Sequence, residues 1–124
     1  MGNAEIAKAL FDALSSDDDQ AVRALCAPDM SVRQNNNPPM GLDALLRFNG
    51  AVHRVVKDFR YEGAVRSATT TGFVEEHAVR GTLPDGKALD LQACVVADVR
   101  GGKVTGVREY VDTGAAADLI AALG

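Results

Sequence analysis

The sequence predicts an α+β fold, a curved antiparallel sheet with helices packed over one face. Three observations carry this. Ile6, Leu10, Phe11 and Leu14 recur at helical spacing near the N-terminus. A second apolar face, Leu42, Leu45, Leu46, Val52, Val55 and Val56, follows Gly41. From Phe73 to Asp112 the pattern becomes strands divided by Pro84-Asp85-Gly86 and Gly101-Gly102, turn sequences in which Gly accepts positive φ. Segregated helices beside a run of hairpin strands mean α+β. The expected order is α-α-β-α-β-β-β-β-α, with three helices on the N-terminal side and a cone-shaped hollow between helices and sheet.

Taken in order, helix one starts at Asn3, a side chain suited to an N-cap. Ser15 to Asp19 stops it, and the acids there suit the N-terminus of a second helix, Gln20 to Cys26. Pro28 ends that helix, and Met30-Ser31-Val32 reads as a short strand. Gln34-Asn35-Asn36-Asn37-Pro38-Pro39 is a loop. The third helix follows Gly41. Phe59 and Tyr61 alternate with charged neighbours as a strand does, and Thr69 to Gly72 turns the chain. Two hairpins and a short helix, Ala115 to Leu123, complete it.

The 124 residues suit one domain over 1–124, with 47% apolar and 24% charged residues, an ordinary globular composition. A net charge of −4 argues against nucleic acid and anionic membrane surfaces as partners. No apolar run has the length of a membrane span, and the N-terminus lacks the basic and apolar regions of a signal peptide. Cys26 and Cys94 read as buried, reduced thiols, and a cytoplasmic location is expected. His53 and His77 belong to no metal-ligand spacing, so neither metal nor cofactor is expected.

The element order resembles the nuclear transport factor 2-like superfamily, and within it the SnoaL-like group. The helix pair around Ala9 to Leu14 and Asp18-Asp19 carries the resemblance. So do Glu75-Glu76-His77-Ala78-Val79-Arg80-Gly81-Thr82 before Asp85-Gly86-Lys87, and Gly102-Lys103-Val104 leading to Arg108-Glu109-Tyr110-Val111-Asp112. The resemblance implies the cone fold; the superfamily holds isomerases, cyclases, epoxide hydrolases and non-catalytic binders. Leu10 stands about where ketosteroid isomerases place a Tyr. Gln34-Asn35 stands where they place the general base, and Cys94 or Val95 where they place a second Asp. The Arg-x-Asp pair of limonene-type epoxide hydrolases is absent from the sequence. Asp112 matches the strand-end acid of SnoaL-like polyketide cyclases.

Arg108, Tyr110 and Asp112 alternate, which puts them on one strand face. Asp112 is thereby a candidate base, Tyr110 a candidate hydrogen-bond donor, and His77 an assisting group. Equally, Arg108 would form a structural ion pair and Asp112 would cap the last helix. Glu75 shares a face with His77. Arg108, Glu75 and Gln92 are candidate substrate contacts, with Gln92 facing either the pocket or a partner chain. Phe11, Phe48, Val52, Phe59 and Phe73 would form the apolar wall. The apolar outer sheet side, with Cys94 and Val96, predicts a homodimer. Two functions remain open: a cofactor-free isomerase or cyclase abstracting a proton next to a carbonyl of an apolar cyclic substrate, and a non-catalytic ligand-binding or dimerisation module.

Overall fold

A computed structural model describes residues 1–124. Helices α1 (Asn3–Ser15) and α2 (Asp19–Leu25) lead into strand β1 (Cys26–Gln34) and the two-residue strand β2 (Met40–Gly41). Helix α3 (Leu42–Val55) follows, then β3 (Lys57–Ala68), β4 (Gly72–Thr82), β5 (Ala88–Arg100), β6 (Lys103–Val111) and α4 (Thr113–Leu123). The strands form one sheet in the order β2-β1-β6-β5-β4-β3. The sheet is mixed rather than purely antiparallel, because β1 and β6 run parallel. The helices and loops between β1 and β6 supply the long crossover that a parallel pair requires.

Several boundaries differ from those expected, each for a local reason. Gly2, not Asn3, is the N-cap of α1, and the Glu5 carboxylate accepts the Gly2 N–H at 3.1 Å. Asp18 caps α2 by accepting from the Ala21 N–H at 3.1 Å. Pro28 does not end a helix; it lies within β1, in the stretch between Cys26 and Ser31 where the pairing to β6 shifts. A proline is tolerated in a strand at such an irregularity, since no ladder N–H is needed there.

Two bulges shape the concave face. β3 carries one extra residue against β4 between Glu62 and Val65, with Gly63 at φ 66°. The bulge flips the alternation, so Tyr61 and Arg66, an odd number apart, both face inward. The second bulge lies on β6, where Val104 pairs with Val99 but Gly106 pairs with Asp98. Past it, Val107, Glu109 and Val111 face inward, and Arg108 and Tyr110 face outward.

Along β5 the buried residues Leu89, Leu91, Ala93, Val95 and Ala97 mark the inner face. One packed cluster joins α1 to β1 and the centre of the sheet through Ile6, Leu10, Met30, Phe73 and Val104. A second joins α3 and α4 to β4 and β5 through Val52, Val79, Leu91 and Leu119. Gly81 lets the start of β3 cross close by: a Cβ there would stand 2.4 Å from Val56 Cγ1. No helix is long and apolar enough to cross a membrane.

Candidate active site

Between the two packed clusters lies a hollow of about 120 Å³, bounded by α1, α3, α4 and the inner face of the sheet. That is the scale of the engineered apolar cavity of about 150 Å³ that takes up benzene. Phe11, Phe48, Val52 and Phe59 line it. The wall is completed by Ala116, Leu119, Ile120 and Leu123 of α4. Exposed Phe48 and Ile120 mark its rim. Phe73 is not in the wall; it is fully buried behind Phe11, ring centroids 6.4 Å apart.

Few polar groups reach this hydrocarbon surface. Glu109 of β6 and Gln34 of β1 are register partners in the parallel pair, so their side chains lie side by side. The Gln34 amide donates from Nε2 to Glu109 Oε1 at 2.5 Å. This bond engages Oε1 and leaves Oε2 for a ligand. Tyr61 of β3 is the phenol of the hollow. Burial, then the nearby charges of Glu109 and Glu75, push its hydroxyl well above the usual phenol range, so it remains a protonated donor. Asn49 of α3 is occupied structurally: with His53 it donates to the Leu14 carbonyl, at 3.0 and 2.8 Å, satisfying an acceptor at the end of α1.

The loop after β1 fixes this arrangement. Asn35 adopts φ 50°, a conformation Asn tolerates better than most residues. Its side chain donates to the Val111 carbonyl at 3.0 Å and accepts the Val111 N–H at 2.9 Å. It thereby extends the ladder on β6 beyond the end of β1 and holds Gln34 against Glu109.

Residues 108, 110 and 112 do not converge on the hollow, contrary to the simple alternation. The β6 bulge turns that face outward. Arg108 pairs with Asp98 at 2.9 Å, and its hydrogen bond holds the Asp98 carboxyl below the usual carboxylate range. Tyr110 is 45% exposed, and its hydroxyl accepts from Arg33 at 3.3 Å. Asp112 is exposed and caps α4, its Oδ1 accepting the Gly114 N–H at 2.9 Å. Gln92 lies exposed on the outer face.

Glu75 and His77 do come together, one layer behind the wall. Glu75 is fully buried, with Arg66 Nε at 2.6 Å from Oε1 and His77 Nδ1 at 2.7 Å from Oε2. The β3 bulge is what brings Arg66 to this carboxylate.

Reading the sequence misses Glu109, Gln34 and Tyr61 as pocket polar groups, and α4 as a wall. For Glu109 a signal exists: Val107 and Val111 flank it at the strand spacing of one face. For Gln34 none does, because its place depends on the non-local parallel pairing.

Residues 7–107 match the family model described as a SnoaL-like domain. The chain belongs to the SnoaL-like family. In this SnoaL-like domain the matched span stops two residues short of Glu109, so that carboxylate and α4 lie beyond it. No curated protein matches the chain significantly. Among solved structures, a provisionally named polyketide cyclase from Xanthomonas campestris pv. campestris is 23% identical, with TM-score 0.80 over 97% of this chain and 95% of its own. A nuclear transport factor 2-like protein from Burkholderia xenovorans LB400 is also 23% identical, with TM-score 0.79 over 93% and 92%. BvnE pinacolase from Penicillium brevicompactum is 14% identical, with TM-score 0.81 over 96% and 92%. At these identities the likeness is one of fold.

Proposed function

We propose that this SnoaL-like domain is a cofactor-free enzyme that moves a proton at a carbon next to a carbonyl of a small, apolar, cyclic substrate. The observation that carries the reading is a carboxylate, Glu109, set in a hydrocarbon-lined hollow that also holds a protonated phenol, Tyr61. Glu109 Oε2 takes the proton from the carbon, and the C–H electrons pass into an enolate. The Tyr61 O–H donates to the enolate oxygen, where negative charge develops. Isomerisation follows if Glu109 returns the proton to a different carbon. Cyclisation follows if the enolate carbon bonds to the carbon of a second carbonyl in the same molecule; the π electrons of that C=O pass to its oxygen, which takes the proton back from Glu109. The apolar wall excludes water, which strengthens both interactions. Gln34 orients the carboxylate, and Asn35 orients Gln34.

The family gives this reading its context, since structures of the same fold include a pinacolase and a provisionally named polyketide cyclase. The reading includes a homodimer formed through the outer sheet face, supported by the partly exposed Val74, Cys94 and Val96 beside Tyr110.

Deuterium uptake from D2O into a panel of monocyclic ketones, followed by proton NMR, tests the chemistry. The wild type is expected to exchange the α-protons, and Glu109→Gln to lose about 10² to 10⁴ in rate. Binding without exchange by the wild type would contradict catalysis and favour the binding module.

A further inference from the structure

We propose that His77 is a second recognition group of this hollow, an acceptor for the hydroxyl of a single-ring ligand. This deepens the proposed function by naming a feature of its substrate, but it does not depend on Glu109 acting as a base.

The protonation of His77 follows from its neighbours. The Glu75 carboxylate only accepts, so the His77 Nδ1 2.7 Å from it carries a hydrogen. Arg66, 2.6 Å away, already balances the Glu75 charge. The neutral tautomer with its hydrogen on Nδ1 is the one that fits this contact. His77 Nε2 is therefore a bare lone pair. It is buried and has no hydrogen-bond partner, the one such side-chain nitrogen or oxygen in the chain. A buried acceptor without a donor has given up its hydration for nothing in return. A ligand donor would recover that cost, and nothing else in the fold does.

The route to Nε2 is short. The His77 ring lies 4.8 Å from the Phe11 ring and 4.6 Å from the Tyr61 ring, centroid to centroid. Both of those rings line the hollow. They meet each other edge to face at 5.3 Å, and His77 touches both rings without itself lining the hollow. A ligand ring that parts Phe11 from Tyr61 can take an edge-to-face place in the same cluster and deliver an O–H to Nε2. The hollow of about 120 Å³ matches a ligand of one ring. A carboxylate ligand is disfavoured by Glu109 and Glu75, so the group is a neutral hydroxyl.

Phenol and toluene are the probes, added to wild-type protein labelled with ¹⁵N. Methyl resonances of Val52 and Leu119 report occupancy, and the imidazole ¹⁵N resonance of His77 reports hydrogen bonding. Saturating phenol is expected to move Nε2 upfield from its free, unprotonated position, and saturating toluene to leave it there. Equal response to both probes, no Nε2 response to phenol, or no entry of either probe would overturn the proposal. Affinities give a second arm: His77→Phe is expected to lose the preference for phenol over toluene, and Glu109→Gln to keep it. The reverse pattern would assign the hydroxyl to Glu109, ending this proposal while leaving the proposed function standing.

Discussion

Gln34 and Glu109 sit side by side across the one parallel strand pair of the sheet, joined by a 2.5 Å hydrogen bond at the edge of an apolar hollow. The two are 75 residues apart in the chain. Their meeting depends on the long crossover from β1 to β6, and on the β6 bulge that turns residue 109 inward. The candidate chemistry therefore rests on sheet topology rather than on any local motif.

Asn35 is the residue that fixes this pair. Asn35→Ala removes both side-chain bonds to Val111 and leaves a non-glycine residue at φ 50°. The expected loss is about 1 to 3 kcal/mol in urea unfolding. Asn35→Gly relieves the backbone but not the missing bonds, so it should still lose most of that amount. Full stability in the Gly variant would mean that conformation, not bonding, is what Asn35 supplies.

Arg66 and Glu75 form a second dependent pair. Arg66→Leu leaves a fully buried carboxylate facing only His77, and is expected to cost about 3 to 5 kcal/mol. Adding Glu75→Gln should recover part of this, because the stranded charge is gone. The comparison is made by denaturant unfolding of the single and double variants. Additive losses would show that the two side chains do not act as a pair.

Stability should fall on the alkaline side. Burial pushes the Cys26 thiol from about 9 up to about 11, against the opposing pull of Lys103, and the Tyr61 hydroxyl is also raised. Both groups then keep their protons in the folded chain at a pH where the unfolded chain has lost them. The unfolded state binds fewer protons there, so unfolding becomes easier as pH rises. The Cys26 contribution is intact below pH 9 and is lost between about 9 and 11. Urea midpoints across that range should fall less steeply in Cys26→Ala. An unchanged slope would show that the thiol is not the group responsible.

The outer sheet face predicts assembly. Val74, Cys94 and Val96 lie beside exposed Tyr110, with the ion pairs Arg108–Asp98 and Arg80–Asp90 on the same face. Size exclusion with light scattering at micromolar concentration should give a dimer, and Val96→Lys a monomer. A wild-type monomer would contradict this.

Much of the architecture was legible. Ile6, Leu10, Phe11 and Leu14 marked α1, and the turn sequences at Asp85-Gly86 and Gly101-Gly102 marked the hairpins. Phe11, Phe48, Val52 and Phe59 were readable as wall because aromatic and branched side chains on inner faces have few other places to go. Alternation alone gives the wrong face of β6, for a physical reason. Strict alternation from buried Val104 puts 106, 108 and 110 inward, but the bulge shifts the phase and selects Val107, Glu109 and Val111. Bulges also hid the meeting of Arg66 with Glu75; Gly63 within a strand was the available hint. The parallel pairing of β1 with β6 is non-local and leaves no mark in either strand. Asp112 was legible in both senses, as a base by resemblance and as a cap by position, and the geometry favours the cap.

The central claim is that the working carboxylate belongs to residue 109. Its most direct test is α-proton exchange into a monocyclic ketone, measured in parallel for the wild type, Glu109→Gln and Asp112→Asn. Exchange should fall by about 10² to 10⁴ in the first variant and persist in the second. Persistence in Glu109→Gln with loss in Asp112→Asn would contradict the account.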